Sequence, residues 1–260
     1  MKKGIYFGCL PGNLELRERF RLAKDAGFEG VELCSVSSDS EMEAVKALAD
    51  EFGLETHSIM GSLHWQFPLS SPSSEVRSKC LENMKMAIRH AKMIGADAIL
   101  LVPAVVTSEV TYEDAYRRSR GEIAKLIEPA EEAGVAIAIE NVWNRFLLSP
   151  IEFARYIDDF GSPSIRAYFD VGNIMLYGFP HHWIRTLGSR ICKVHLKDFR
   201  VGPKEFVDIL EGDVPWRDVM KALKDVGYDG YLTIEVSYGK PEEVMEASKK
   251  LDRIIEMAGR

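Results

Sequence analysis

The chain has 260 residues, of which 46% are hydrophobic and 28% charged, a composition typical of a globular protein. Its 33 Lys and Arg residues against 40 Asp and Glu residues give a net charge of −7, which argues against general binding to a nucleic-acid backbone. No apolar run reaches the 18 or so residues of a transmembrane helix, so no membrane partner is expected.

The four cysteines are scattered along the chain without C-x-x-C spacing, at Cys9, Cys34, Cys80 and Cys192. This pattern predicts reduced thiols and a cytoplasmic location, without a disulfide or a zinc knuckle. The apolar stretch after Met1 alternates like a strand and breaks at Pro11, so a signal peptide is not predicted.

Short β-branched or aromatic runs alternate with longer amphipathic stretches along the chain. The predicted strands are residues 3–10, 30–35, 55–61, 98–103, 136–142, 165–171, 191–197 and 230–236. The predicted helices are residues 15–26, 40–52, 74–94, 112–133, 150–160, 180–187, 216–226 and 241–258. Glycine follows many of the helices, as expected where a helix ends in the left-handed conformation.

Eight strand–helix units predict an α/β protein in which residues 1–260 form a single (β/α)8 TIM barrel domain. The runs at 98–102 and 136–139 are almost wholly apolar, which is typical of parallel strands covered on both faces. A doubly wound open sheet is the alternative, but no G-x-G-x-x-G motif follows the first strand. The loop at 62–73 follows the third strand and is therefore expected on the catalytic face.

Four successive strands end in side chains that can bind a metal: Glu140, Asp170, His195 and Glu235. Three carboxylates that converge on one barrel mouth repel each other, and a divalent cation removes that penalty. The predicted cofactor is therefore one divalent metal ion. Oxygen ligands with one imidazole favour Mn²⁺, with Mg²⁺, Co²⁺ or Zn²⁺ as alternatives.

The segments I-E-N at 139–141, F-D-V-G-N at 169–173, V-H-L-K-D at 194–198 and T-I-E-V at 233–236 carry these residues. Together they resemble the xylose isomerase-like barrel superfamily, and the resemblance covers essentially the whole chain. Segments 63–69, 168–180 and 212–216 are similar to the ketose and ketose-phosphate 3-epimerases within it.

The resemblance implies that the four residues bind one metal ion and that Glu140 and Glu235 are catalytic. One glutamate would remove a proton next to the ketose carbonyl, giving a cis-enediolate, and the other would return a proton to the opposite face. The implied partner is a small-molecule sugar or sugar phosphate. An aldose–ketose isomerase would use nearly the same site.

Two positions depart from the D-tagatose 3-epimerase type. Asn173 stands where that type has a histidine, and Phe146 stands where it has a further glutamate. The substrate contacts of that type therefore do not transfer directly to this chain. Asn173 still offers a hydrogen bond to a sugar hydroxyl, although a turn residue after Gly172 is an equal alternative.

Six residues are candidates for substrate contacts: His64, Trp65, Trp143, Asn173, Lys197 and Arg200. His64 and Trp65 could hydrogen-bond to and stack on a sugar, with loop packing as the alternative. Lys197 and Arg200 could bind a phosphate or an acidic sugar, or be ordinary solvated loop residues.

Two further acidic residues lie at the ends of predicted strands. A structural role is the favoured interpretation of Glu32, with orientation of its neighbours through hydrogen bonds as the alternative. Asp198 is expected to hold His195 or Lys197 in place, as carboxylates beside metal ligands often do.

Three other functions compete with the epimerase interpretation. A nuclease resembling endonuclease IV would need several extra histidines for its three zinc ions, and the chain has only six. A lyase or dehydratase acting on a keto-sugar or keto-inositol begins with the same proton abstraction and stays open. A non-catalytic sugar-binding barrel is disfavoured because all four ligands are present. A homodimer or homotetramer is also left open.

Overall fold

The computed structural model describes residues 1–259, and Arg260, the last residue of the predicted domain, lies outside the described residues. The strands are β1 (Lys2–Tyr6), β2 (Gly30–Cys34), β3 (Glu55–Met60), β4 (Ala98–Leu101), β5 (Ala136–Glu140), β6 (Ile165–Asp170), β7 (Ile191–Leu196), β8 (Asp198–Arg200), β9 (Glu205–Val207) and β10 (Tyr231–Ile234). The helices are α1 (Leu16–Asp25), α2 (Asp39–Glu51), α3 (Ser74–Ile94), α4 (Tyr112–Ile123), α5 (Ile127–Ala133), α6 (Pro150–Asp158), α7 (Val171–Ile174), α8 (Pro180–Leu187), α9 (Trp216–Asp225) and α10 (Pro241–Glu256).

Eight parallel strands close a barrel in the order β1-β10-β7-β6-β5-β4-β3-β2. Helices connect successive barrel strands, so the predicted (β/α)8 TIM barrel is confirmed. The remaining strands, β8 and β9, form an antiparallel hairpin at the carboxyl end of β7. Within residues 1–259, no helix combines the length and the apolar character needed to cross a membrane.

The central strands are apolar throughout because each face packs against a different core. Ala98, Leu100, Ala138 and Tyr168 point inward and pack together inside the barrel. The residues between them, such as Ile137, point outward into the larger core beneath the helices. This alternation along a strand decides which strand-end side chains point into the barrel mouth.

The helix ends follow the local sequence. Thr111 precedes α4, and its Oγ1 accepts a hydrogen bond from the Asp114 amide at 3.1 Å. Gly95 and Gly134 end α3 and α5 in the left-handed region, at φ 77° and 70°. Glycine reaches this conformation without the steric penalty of a Cβ atom.

The structure differs from the predicted elements in three places. The first strand ends at Tyr6, because a 3-10 turn at Phe7–Cys9 leads the chain toward Pro11. The predicted helix at 112–133 is divided by a 3-10 turn at Ala124–Leu126, where Pro129 has no amide to continue the hydrogen-bond ladder. The β8–β9 hairpin and the short helix α7 are absent from the predicted elements.

Gly134→Ala should destabilise the protein by about 1 kcal/mol, because φ of 70° strains an L side chain although no atom lies within 4 Å of the added Cβ. Gly121→Ala is the matched control: Gly121 lies within α4, the added Cβ again meets nothing within 4 Å, and helix propensity should stabilise the protein by about 0.5–1 kcal/mol. Urea denaturation measures both free energies of unfolding. A change of the same sign in both variants would contradict this explanation.

Candidate metal centre

Each of the four predicted ligands lies at the carboxyl end of a barrel strand. Glu140 and Asp170 are the last residues of β5 and β6, His195 lies near the end of β7, and Glu235 follows β10 directly. In the strand pairing, Asp170 lies opposite His195, and so does Thr233, two residues before Glu235. The closed sheet therefore brings the four side chains to one mouth of the barrel.

The ligand atoms of these side chains lie within reach of a single ion. One atom from each of the four side chains lies within 4.8 Å of the others. Ligands on opposite sides of one divalent ion lie about 4–5 Å apart, because metal–oxygen distances are about 2.0–2.6 Å. Asp170 and His195 are fully buried. The spacing and the donor atoms therefore fit one divalent cation.

Two basic side chains offset the charge of the three carboxylates. Lys197 Nζ lies 3.1 Å from Asp170 Oδ2 and 2.7 Å from Glu235 Oε2. His195 Nδ1 lies 3.2 Å from Glu140 Oε1 and 3.1 Å from Glu235 Oε2. Opposite charges at these distances favour ionised carboxylates, which burial alone would disfavour.

Burial and neighbouring charges move the pKa values of the carboxylates in different directions. Burial raises the pKa of Glu140 to about 7, against the opposing effect of its hydrogen bond with His195. Burial also raises the pKa of Asp170. At Glu235, burial acts in the same direction, but the charges of His195 and Lys197 outweigh it and hold the pKa well below its usual range. The two predicted catalytic glutamates therefore differ in proton affinity.

The second ring nitrogen of His195 is held by Glu32, on β2. Glu32 is fully buried, and its Oε2 accepts a hydrogen bond from His195 Nε2 at 2.6 Å. Ser58, on β3, donates a hydrogen bond to Glu32 Oε1 at 3.1 Å. Burial acts to lower the pKa of His195, but Glu32 and Glu235 raise it well above the usual value. Glu32 thus fixes the ring so that Nδ1 faces the other ligands.

Asp198 has a different role from the expected one. It contacts neither His195 nor Lys197 through a hydrogen bond among the described residues. Its carboxylate accepts hydrogen bonds from the Val214 amide at 3.0 Å and from Trp216 Nε1 at 2.9 Å. Asp198 therefore ties the start of the hairpin to the segment before α9, and Glu32 orients the histidine instead.

A cleft of about 230 Å³ adjoins the four ligands. Five of the six predicted substrate contacts line it together with both predicted catalytic glutamates: His64, Trp65, Trp143, Asn173, Lys197, Glu140 and Glu235. These side chains come from five different loops or strand ends, those of β3, β5, β6, β7 and β10. The barrel thus brings together most residues that the sequence marks as candidates.

His64 and Trp65 contribute a polar and an aromatic surface from the loop after β3. His64 is buried, and burial lowers its pKa to about 4, so the ring is neutral near pH 7. Its Nδ1 has no hydrogen-bond partner among the described residues. Trp65 is half-exposed. The pair therefore offers a hydrogen-bonding nitrogen and a stacking surface.

Asn173 and Trp143 are linked to each other and to the strand ends. Trp143 Nε1 donates a hydrogen bond to the Asn173 carbonyl at 2.9 Å. The Asn173 amide donates to Asp170 Oδ1 at 2.7 Å, and its Nδ2 donates to the Asn141 carbonyl at 2.9 Å. Asn173 is therefore a turn residue after β6, which is the alternative considered from the sequence. It also lines the cleft.

The structure does not bring Arg200 to the cleft. Its side chain is exposed on β8, where Nε donates to the Glu211 carbonyl at 3.1 Å and Nη1 donates to Glu205 Oε1 at 3.2 Å. Lys197 lines the cleft, whereas Arg200 lies on the hairpin strand β8 and does not line it. The expected joint phosphate site of Lys197 and Arg200 is therefore not formed.

Two contributors to the site were not singled out from the sequence. Phe206, on β9, lines the cleft, stacks on Trp143 with ring centroids 4.7 Å apart, and lies 5.3 Å from Lys197 Nζ. Gly172 lies against Lys197, since an added Cβ would overlap Lys197 Cγ. The glycine belongs to the F-D-V-G-N segment and could have been noticed, whereas no local pattern marks Phe206.

A model of the xylose isomerase-like TIM barrel family matches residues 20–255. The chain belongs to this family. L-ribulose-5-phosphate 3-epimerase UlaE of Escherichia coli (strain K12 / DH10B) is 31% identical over 248 residues, covering 90% of this chain and 86% of that protein. The protein of the same name from Shigella sonnei (strain Ss046) is 30% identical over 244 residues, with the same coverage.

Solved structures show the same fold. A D-tagatose 3-epimerase-like protein superposes with a TM-score of 0.87 at 19% identity, covering 100% of this chain and 98% of that one. An L-ribulose 3-epimerase superposes with a TM-score of 0.83 at 20% identity, covering 100% and 96%. The predicted family is confirmed, and its relatives named here belong to the predicted class, the sugar epimerases among the isomerases.

Glu32→Gln should lower the affinity for Mn²⁺ by about 10–100-fold, because the ring of His195 loses its buried carboxylate partner. Isothermal titration calorimetry at one fixed pH measures the change, and circular dichroism checks the fold.

Asp198→Asn is the control for this variant. It removes a buried charge whose partners named above are Val214 and Trp216 and not the four predicted ligands, so the Mn²⁺ affinity should stay at the wild-type value. Equal losses in the two variants would show that Glu32 has no special role.

Proposed function

We propose that this chain is a metal-dependent ketose 3-epimerase. The observation that carries the proposal is the position of Glu140 and Glu235, which both line the cleft and approach His195 Nδ1 at 3.2 and 3.1 Å. In the barrel, β6 and β7 separate β5 from β10, so the two carboxylates reach the cleft from different walls. Epimerisation needs an acid–base group on each face of one carbon, and this arrangement supports that requirement.

The proposed ligands of the metal are Glu140, Asp170, His195 and Glu235. Mn²⁺ is favoured, with Mg²⁺, Co²⁺ or Zn²⁺ as alternatives, because carboxylates with one imidazole suit these ions. When bound, the cation would supply Lewis-acid polarisation of the ketose carbonyl.

The proposed reaction consists of two proton transfers. Either Glu140 or Glu235 removes the proton from the carbon next to the ketose carbonyl, and the other returns a proton to the opposite face. Between these steps the substrate is an enediolate, whose negative oxygen must be stabilised. The ammonium of Lys197, 2.7 Å from Glu235, keeps a positive charge beside the cleft.

The proposed substrate contacts follow from the free groups of the cleft. Trp65 and Trp143 present half-exposed rings against which the C–H face of a sugar can pack. His64 Nδ1 has no hydrogen-bond partner within residues 1–259, and Asn173 and Lys197 add polar atoms. Arg200 has no place in the proposed site because its side chain lies outside the cleft.

Mn²⁺-loaded protein in D₂O should incorporate deuterium at C3 of at least one compound in a panel of ketoses and ketose phosphates. Glu140→Gln and Glu235→Gln should each lower the exchange rate by at least about 100-fold, the contribution typical of acid–base groups. Glu82→Gln is the control, since Glu82 lies on α3 in an exposed pair with Lys85. Mass spectrometry locates the deuterium.

Other outcomes would point to the competing functions. Loss of water from the substrate would favour a lyase or dehydratase, and transfer between C1 and C2 would favour an aldose–ketose isomerase. No deuterium at C3 of any compound would contradict the proposal. A three-zinc nuclease has no support in residues 1–259, where one group of ligand-type side chains is close enough to share an ion.

A homodimer or homotetramer is also part of the proposal. Trp143, Leu148, Leu176 and Tyr177 are exposed, and they line one surface depression of about 260 Å³. Contiguous apolar surface of this kind is typical of association sites. Size-exclusion chromatography with light scattering should give two or four times the chain mass of 29.3 kDa, and a monomer mass would contradict it.

A single domain and a cytoplasmic location stay proposals as well. The barrel strands from β1 to β10 close one sheet, which supports a single domain. All four cysteines are free, which supports a reducing compartment. Calorimetry should show one cooperative unfolding transition, and two transitions would contradict a single domain. Cell fractionation should recover the protein in the cytoplasmic fraction, and recovery in the membrane fraction would contradict that location.

A further inference from the structure

A second cavity adjoins the candidate metal centre on the side of α10. It has a volume of about 650 Å³ and shares Lys197, Phe206 and Glu235 with the cleft. A ketose held at the four ligands therefore has this cavity within reach of its far carbons. The charge of the cavity wall decides whether those carbons can carry a phosphate.

The wall of this cavity is acidic. Five carboxylates and two ammonium groups line it: Asp208, Glu211, Glu235, Glu243 and Glu246 against Lys197 and Lys250. Among the described residues, no arginine lines either this cavity or the cleft. A phosphate ester carries nearly two negative charges near pH 7 and would be repelled by such a wall.

Both ammonium groups are already engaged by carboxylates. Lys197 lies between two ligands of the candidate metal centre, as described above. Lys250 is largely buried, and its Nζ lies 2.6 Å from Asp208 Oδ2 and 2.5 Å from Glu211 Oε1. Tyr238 donates a further hydrogen bond to Asp208 Oδ1 at 2.7 Å, which holds the carboxylate in place. Each lysine therefore already has two carboxylates beside it, and their charge weakens its attraction for an incoming phosphate.

The amino terminus of α10, next to the cavity, is also already paired with a carboxylate. TIM barrels frequently bind phosphate with the loops after the last two strands and a helix amino terminus. Here β10 leads into α10, and Glu243 Oε2 accepts hydrogen bonds from the amides of Gly239 at 2.9 Å and Lys240 at 3.1 Å. An incoming phosphate would compete with this carboxylate for the same donors.

We propose that the site accepts an uncharged ketose and discriminates against ketose phosphates. The inference rests on the proposed 3-epimerase function and narrows its substrate class. Carboxylates such as Asp208 and Glu246 accept hydrogen bonds from sugar hydroxyls, and the ring of Phe206 packs against C–H groups. The curated relatives are named for a phosphate ester, so this chain would differ from them in the charge of its substrate.

The test uses substrate pairs that differ only in the phosphate: D- and L-ribulose and D- and L-xylulose, each free and as the 5-phosphate. With Mn²⁺-loaded protein, kcat/KM for deuterium exchange at C3 should be at least about tenfold higher for the free ketose of the best pair. A phosphate ester that exchanges as fast as its free ketose would overturn the inference and leave the 3-epimerase proposal standing.

If no compound exchanges deuterium, the 3-epimerase proposal is contradicted but the inference about phosphate is not yet decided. A measurement of phosphate binding then decides it. Inorganic phosphate is the probe, and the protein is metal-free so that only its side chains are tested. Calorimetry should give a Kd above about 1 mM, and a Kd below this value would overturn the inference.

Two variants should create the missing phosphate site. Asp208→Asn with Glu211→Gln releases Lys250, and Glu246→Lys adds a cation at an exposed position that does not endanger the fold. Each should tighten phosphate binding by about tenfold, while Glu82→Gln leaves it at the wild-type value. Failure of both variants to bind phosphate more tightly than wild type would overturn the inference.

Discussion

The convergence of like charges at the barrel mouth is the constraint on which the rest of the site depends. Closing eight parallel strands places Glu140, Asp170 and Glu235 around one point, where burial makes ionised carboxylates costly. His195 and Lys197 offset this cost in the structure through ion pairs of 2.7–3.2 Å. The same convergence that favours positive charge also creates a candidate ligand set for a divalent ion.

Supporting contacts keep these groups in position. Glu32 reaches His195 from the opposite side of the barrel, and Gly172 allows α7 to pack directly against Lys197. Asp198 anchors the hairpin through Val214 and Trp216, and the hairpin in turn carries Phe206 over the cleft. The electrostatic centre therefore depends on packing by elements that contribute no ligand.

The barrel and the convergence of the four candidate ligands were predictable because both follow from local patterns. The carboxylate after an apolar run, such as Glu140 or Asp170, marks in the sequence where a strand ends. Parallel strands bring their carboxyl ends together at one edge of the sheet. The hairpin was not predictable, because its stability comes from contacts such as Phe206 with Trp143, which lie far apart in the chain. The position of Arg200 outside the cleft was not predictable for a related reason: beyond the end of β7, strand alternation no longer determines where a side chain points.

The acidity of the chain has separate causes in separate places. At the barrel mouth, carboxylates form a candidate metal site, while along the adjoining cavity Asp208 and Glu211 pair with Lys250 and offset its charge. Anomalous diffraction from crystals soaked in Mn²⁺ tests the central claim most directly, namely that the four strand-end side chains hold one ion. We expect one manganese peak per chain, within about 2.0–2.6 Å of ligand atoms from all four side chains. No peak at this mouth, or a peak that two or more of these side chains do not contact, would contradict it.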